Sequence, residues 1–154
     1  LKSYWLVVHV AIITSSYGFF SLSMLIAMIS LIFYIIANKD TFKRHNDTTL
    51  KELAIVSEMS LNIGLLALTI GNFLGGIWAN ESWGRYWSWD PKETWAFITW
   101  LGYLIYIHLR YKYKNINDRQ DFIIIIIAFI LLLMCWFGVN YLPTAANSVH
   151  TYSG

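Results

Sequence analysis

Four long apolar stretches, parted by shorter polar ones, set the pattern of the chain. The first runs from Tyr4 to Ala37 almost without interruption. Since about 20 apolar residues cross the hydrocarbon layer of a bilayer, it predicts a span over 14–37 with a projecting end near His9, or one strongly tilted helix. A charged loop, Asn38–Glu58, precedes a second span over 60–78, rich in small residues (Gly64, Gly71, Gly75, Gly76) that let helices approach closely. A polar, aromatic loop over 79–93 leads into a third span over 94–111. A second charged loop, Arg110–Asp121, leads into a fourth over 122–141, and a polar tail, Leu142–Gly154, follows. The isoleucine run Ile123–Ile127 would suit a strand, but these stretches exceed the usual strand length, and open strands leave backbone groups unsatisfied in lipid. The expected fold is therefore all-α: a polytopic transmembrane helix bundle of four spans, one domain over 1–154, with a Trp-rich loop between the second and third spans.

Composition agrees with a bilayer partner. Hydrophobic residues make up 57 % of the chain and charged residues 13 %, against about 25 % charged in a soluble domain. A net charge of +2 gives no footprint for nucleic acid. Of the 11 Lys and Arg, all but Lys2, Arg85 and Lys92 lie in or beside the two charged loops. The positive-inside rule puts those loops in the cytoplasm or its organelle equivalent. His9, the Trp-rich loop and the C-terminal tail then share the outer side. The chain opens at Leu1 with neither methionine nor a basic leader segment, and reads as the C-terminal part of a longer protein. The single cysteine, Cys135, lies in an apolar stretch and reads as a small buried hydrophobe.

The unusual chemistry is concentrated in Trp78–Trp100, WANESWGRYWSWDPKETWAFITW. Interfacial anchoring accounts for one or two tryptophans at the end of a span. Trp83, Trp87 and Trp89 on one polar loop suggest instead an aromatic platform for a flat apolar ligand, with Arg85 and Lys92 near enough in sequence to pair with its carboxylates. Two histidines, His9 and His150, fall on the same side as this loop. Imidazoles approaching from opposite faces are axial ligands for haem iron; the plainer alternative is that each is an interfacial hydrogen-bonding residue. His108 lies near the inner end of the third span, where an ionisable group is costly in lipid and so suggests function. It could equally snorkel beside Arg110. His45, in KRHND, reads as solvated. Asp90, Pro91 and Glu93 have the spacing of an N-cap, a first helical residue and a capping-box partner. Neither a glycine-rich phosphate loop nor zinc-ligand spacing is present.

The stretch WGRYWSWDPKETWAFITW resembles the tryptophan-rich WWD signature of haem-handling proteins of cytochrome c maturation. Its continuation through WDPKETW to IHLR is similar to the CcsA (ResC) family rather than to the related CcmC and CcmF proteins. The opening VVHVAIITSSYGFF and the tail FGVNYLPTAANSVHTYSG resemble that family's corresponding segments, so the likeness covers Trp5 to Gly154. It implies binding of haem b (iron protoporphyrin IX) at an outer site and its delivery for covalent attachment to apocytochrome c, as part of a system II cytochrome c synthase. By matching position it implies that His9 and His150 are the axial ligands. Trp83, Trp87, Trp89 and Asp90 would form the platform, and His108 would hold haem in transit across the membrane. It further implies a ResB-like membrane subunit as partner, able to supply a second histidine to the transit site, and a bacterial inner or plastid thylakoid membrane as location. Two other readings fit the same residues: a haem or porphyrin exporter with no ligation role, and a structural membrane subunit with a heavy aromatic belt.

Overall fold

A computed structural model of the chain describes residues 4–36, 46–113 and 118–149. His45 and His150 lie outside the described residues, as do Lys39, Lys43, Arg44 and Lys114 of the basic loops. Four helices follow one another: α1 (Tyr4–Ile36), α2 (Asn46–Trp83), α3 (Pro91–Lys112) and α4 (Asp118–Trp136). Two short 3-10 turns, Gly138–Tyr141 and Pro143–Asn147, lead into the tail. Among the described residues there is no strand. The fold is an all-α polytopic bundle, and α1, α2 and α4 are each long and apolar enough to cross a membrane. α3 has comparable length, at 22 residues, but carries Trp95, Thr99, Trp100, Tyr103, Tyr106 and His108 and is correspondingly less apolar.

Side-chain contacts give the topology. Along α1 and α2, His9 meets Gly71 and Ser23 meets Ser57, so the pair is antiparallel. Thr69 meets Trp100, and Glu58 meets Arg110, so α2 and α3 are antiparallel. Thr99 meets the Leu131 carbonyl, and Tyr106 meets Asp121, which sets α3 against α4 in the same sense. Tyr17 beside Cys135 and Tyr34 beside Phe122 close the ring between α4 and α1. The result is an up-down-up-down bundle. Phe20 and Tyr103 stack at its middle, with ring centroids 4.0 Å apart.

The buried face of α1 is mostly small and hydroxylated while its outward face is apolar, the arrangement expected where lipid rather than water is the solvent. It buries Ser16, Ser23, Ala27 and Ser30 beside Phe20. The Ser23 and Ser57 hydroxyls are 2.8 Å apart. Ser16, Ser21, Ser30 and Thr69 donate to carbonyls of their own helices, which satisfies each hydroxyl without water. On α2, a Cβ at Gly64 would lie 3.1 Å from the Phe20 ring, and one at Gly71 would lie 2.5 Å from Ile13. These glycines are what permit α1 to lie so close.

The helices exceed the spans expected from hydropathy. α1 extends back to Tyr4 without a break at Thr14. α2 begins at Asn46 and continues through Ala79–Trp83, because nothing in that polar segment opposes a helix until Gly84. Gly84, at φ 71°, adopts the left-handed conformation that ends a helix, and its N–H donates to the Asn80 carbonyl at 2.8 Å. The Trp-rich loop is therefore only Gly84–Asp90, and Trp83 is a helical residue. α4 instead stops at Trp136, five residues short of the expected end, where Phe137 and Gly138 turn into the first 3-10 segment.

At α1 and α2 lengths of 33 and 38 residues the two helices are about 50 and 57 Å long, whereas α4, with 19 residues, is about 28 Å. Tyr17 already packs on Trp136 at the end of α4. Residues 4–16 of α1 thus continue past α4, together with the last turns of α2, and form what is called here the aromatic end. The opposite, basic end carries Arg110, Lys112 and Arg119.

Candidate functional site

The aromatic end is built on His9. Its Nδ1 lies 2.8 Å from the Gly71 carbonyl oxygen, which can only accept. That contact calls for the proton on Nδ1, and in a neutral ring this is the tautomer in which an imidazole ligates a metal through Nε2. The ring lies nearly parallel to the buried Trp78 indole, at 8° with centroids 6.4 Å apart. A Cβ at Gly75 would stand 2.7 Å from His9 Cε1, so glycine there forms the notch that admits the imidazole. Trp78 in turn meets Trp83 edge-on at 4.7 Å.

A cavity of about 170 Å³ is lined by His9, Trp78, Tyr86, Trp87, Lys92 and Cys135, among others. Beside it, between α2 and α3, lies a wider and almost wholly apolar groove of about 510 Å³, faced by Phe73, Ile77, Phe97 and Trp100. Asn72, Gly76, Tyr86 and Trp87 line both and form their common wall. The groove alone is within the roughly 300–1,000 Å³ typical of small-molecule sites. Trp87, Trp89 and Phe97 meet one another edge-on, and Phe97 stacks on Trp100, whose indole N–H donates to Thr69 at 2.8 Å and so fixes the ring.

The loop is held in shape by the two carboxylates next to it. Glu93 Oε2 accepts from the backbone N–H and hydroxyl of Ser88 and from the Asp90 N–H, while Asp90 accepts from the Lys92 N–H. Glu93 accepting from the Asp90 N–H, and Asp90 accepting in turn from the backbone N–H of Glu93, form a capping box at the α3 N-terminus with Pro91 in the first turn. Trp89 has φ 58°, a left-handed backbone that is costly for a bulky residue. Its side chain is 67 % exposed while that of the next residue, Asp90, is 6 % exposed. The turn thus separates the two last residues of the tryptophan signature, one outward and one inward.

The predicted platform is accordingly divided. Trp83 belongs with Trp78 and His9, Trp89 belongs with Phe97 and Trp100, and Trp87 lines both the His9 cavity and the groove. Asp90 faces the tail: Ser148 Oγ donates to Oδ1 at 2.9 Å and the Val149 N–H donates to Oδ2 at 2.8 Å. His150, one residue further on, lies outside the described residues. His108 is remote from these groups in the chain's topology. It is exposed on α3, and its Nδ1 lies 2.7 Å from the Leu104 carbonyl of its own helix. No cluster of three or more His, Cys, Asp or Glu suited to a bare metal ion occurs among the described residues.

Sequence reasoning missed Trp78, Gly71 and Gly75 as parts of the His9 seat, and Phe97 and Trp100 as parts of the groove. A signal existed for the glycines: their spacing of four places both on one face of α2. Ser148 and Val149 had none, since they are 58 and 59 residues from the carboxylate they bind.

Comparison with known proteins gives the family of the chain. The family model described as "Cytochrome C assembly protein" matches residues 1–146. Protein NrfI of Wolinella succinogenes is 47 % identical over 148 residues, 96 % of this chain and 16 % of that protein. The cytochrome c biogenesis protein CcsA of Prochlorococcus marinus (strain MIT 9312) is 36 % identical over 171 residues, 96 % of this chain and 54 % of that protein. CcsA of Chlamydomonas reinhardtii is 38 % identical over 152 residues, 99 % of this chain and 41 % of that protein. The chain thus spans about half the length, or less, of these curated relatives. A match over nearly the whole chain, on a membrane bundle with an aromatic end of this kind, makes the chain a member of the cytochrome c assembly protein family.

Proposed function

We propose that the aromatic end of this chain receives haem b and presents it for covalent attachment to apocytochrome c on the outer or lumenal side of a bacterial or plastid membrane. The observation that carries this reading is the seat of His9: an imidazole fixed as the Nδ1–H tautomer, parallel to Trp78, in a cavity shared with the signature residues Tyr86 and Trp87. The donor set fits haem. A neutral imidazole with its other nitrogen bonded to a carbonyl is a typical axial ligand. The adjoining groove is apolar, as the porphyrin faces require, and Lys92 in the cavity lining can pair with a propionate. When bound, the haem supplies the vinyl carbons to which cysteine thiols of the acceptor add.

The chain's own residues have separable tasks under this reading. His9 binds iron through Nε2, with His150 as the expected second ligand. Trp87, Phe97 and Trp100 exclude water from the ring, and Trp83 backs the His9 side through Trp78. His108 serves a second, transit site. Its exposure on α3 suits a ligand shared with another polypeptide, for which a ResB-like subunit is the candidate. The concentration of Lys and Arg at the opposite end supports the outer placement of the aromatic end.

The test is an absorption spectrum of the protein purified in mild detergent with haem supplied, beside His9→Gly and His150→Gly. The expected result is a low-spin spectrum in the parent, loss of haem from each variant, and partial recovery with added imidazole. A parent that takes up no haem, or variants whose spectra match it, would overturn the assignment. Added apocytochrome should gain covalently bound haem; persistent haem binding without that transfer would favour an exporter.

A further inference from the structure

Asp90 closes the WWD signature, yet its carboxylate is turned away from the exposed tryptophans and into the protein. Oδ1 lies 3.0 Å from the Lys92 N–H and 2.9 Å from Ser148 Oγ, and Oδ2 lies 2.8 Å from the Val149 N–H. The first contact is the ordinary cap of α3. The other two bind a segment at the far end of the chain. Asp90 and Ser148 are 6 % and 7 % exposed. Hydrogen bonds to a carboxylate in so dry a place are stronger than neutral ones, and screening by water is small. The tail before this point is two 3-10 turns, which have no extended helical ladder to fix their path.

We infer that Asp90 is a clasp that docks the C-terminal tail against the aromatic end, a positioning residue that sets where the chain enters residue 150 rather than a group that touches the ligand. Val149 is held through its backbone N–H, so the clasp fixes the main chain itself. The tail is thereby held, as far as Val149, beside the loop that carries Trp87 and Trp89. The consequence for ligation rests on the haem reading above; the docking of the tail does not.

Asp90→Asn separates the clasp from the cap. Asparagine is as good an N-cap as aspartate, but its amide nitrogen faces the Val149 N–H as a second donor. Val149→Pro removes that N–H from the other partner and leaves α3 untouched. Ser148→Ala removes one contact only. A spin label at residue 146, introduced as Ala146→Cys in a Cys135→Ser background, reports tail mobility by electron paramagnetic resonance without any haem. The expected result is an immobilised tail in that parent, several-fold faster motion in Asp90→Asn and Val149→Pro, and a smaller change in Ser148→Ala. With haem supplied, the first two variants should lose haem affinity by roughly 10- to 100-fold, the usual effect of removing a residue that orients a ligand, and added imidazole should restore the low-spin spectrum. An unchanged label in Asp90→Asn and Val149→Pro overturns the clasp. A loosened tail with an unchanged haem spectrum overturns its positioning role. Absence of haem from the unsubstituted protein, with Cys135 in place, sinks the haem reading instead, and the label alone then decides the clasp.

Discussion

The two ends of the bundle handle buried polarity in opposite ways. At the basic end Tyr106 donates to Asp121 at 2.7 Å, and Arg110 lies 3.4 Å from Asp121 and 4.0 Å from Glu58. These groups come from α2, α3 and α4 and answer one another, so the end is bolted shut. At the aromatic end most polar contacts go to backbone: His9 to the Gly71 carbonyl, Glu93 to the N–H groups of Ser88 and Asp90, and Asp90 to those of Lys92 and Val149. They fix the rims of a space instead of filling it, and the groove between Trp87 and Trp100 remains. Polar networks that close on themselves maintain a fold; those that fix side chains around a cavity prepare it for something else.

Substitutions at each end should therefore fail differently. Asp121→Ala takes the nearer carboxylate from Arg110 and the acceptor from the Tyr106 hydroxyl at a packed junction. It should cost about 3 kcal/mol or more, read as a large drop in thermal unfolding temperature in detergent, while any haem spectrum of the protein that still folds stays that of the parent. A spectral change as large as the stability change would abolish the distinction between the ends. Gly75→Val is the converse. Its side chain would occupy the place of the His9 ring, at a cost of about 1–3 kcal/mol for overpacking, and haem uptake should fall far more than unfolding temperature. Parent-like haem uptake would mean that His9 is not the seat. Ser57→Ala, midway between the ends, removes the contact with Ser23 and should cost only about 0.6 kcal/mol. A larger loss there would show that the middle of α1 and α2 carries the fold more than either end.

Much of the fold was legible in the sequence. The four helices follow from apolar stretches too long for strands, and the start of α3 from Asp90, Pro91 and Glu93 at capping-box spacing. Local chemistry of that kind is written over a few neighbouring residues. The extent of α2 was less legible, because hydropathy marks where lipid ends and not where a helix ends: Asn80, Glu81 and Ser82 are polar yet helical until Gly84. The division of the tryptophans was not legible at all. Trp83 turns toward Trp78 because it is in the last turn of α2, and Trp89 turns outward because of its own backbone conformation. Both depend on where a helix stops. The Asp90 contacts with Ser148 and Val149 join the two sides of α3 and α4, and spacing carries no trace of them.

The unequal helix lengths have a consequence for traffic. α4 nearly matches the 30 Å of a bilayer's hydrocarbon, while α1 and α2 exceed it by about 20 Å or more. Where α4 stops, the longer pair continues, and His9 and Trp78 lie on that extension. A groove at that height has a side door and a roof. On the proposed reading, a flat apolar molecule would enter laterally from the lipid and a water-borne polypeptide would meet it from above, so that neither would have to enter the other's solvent.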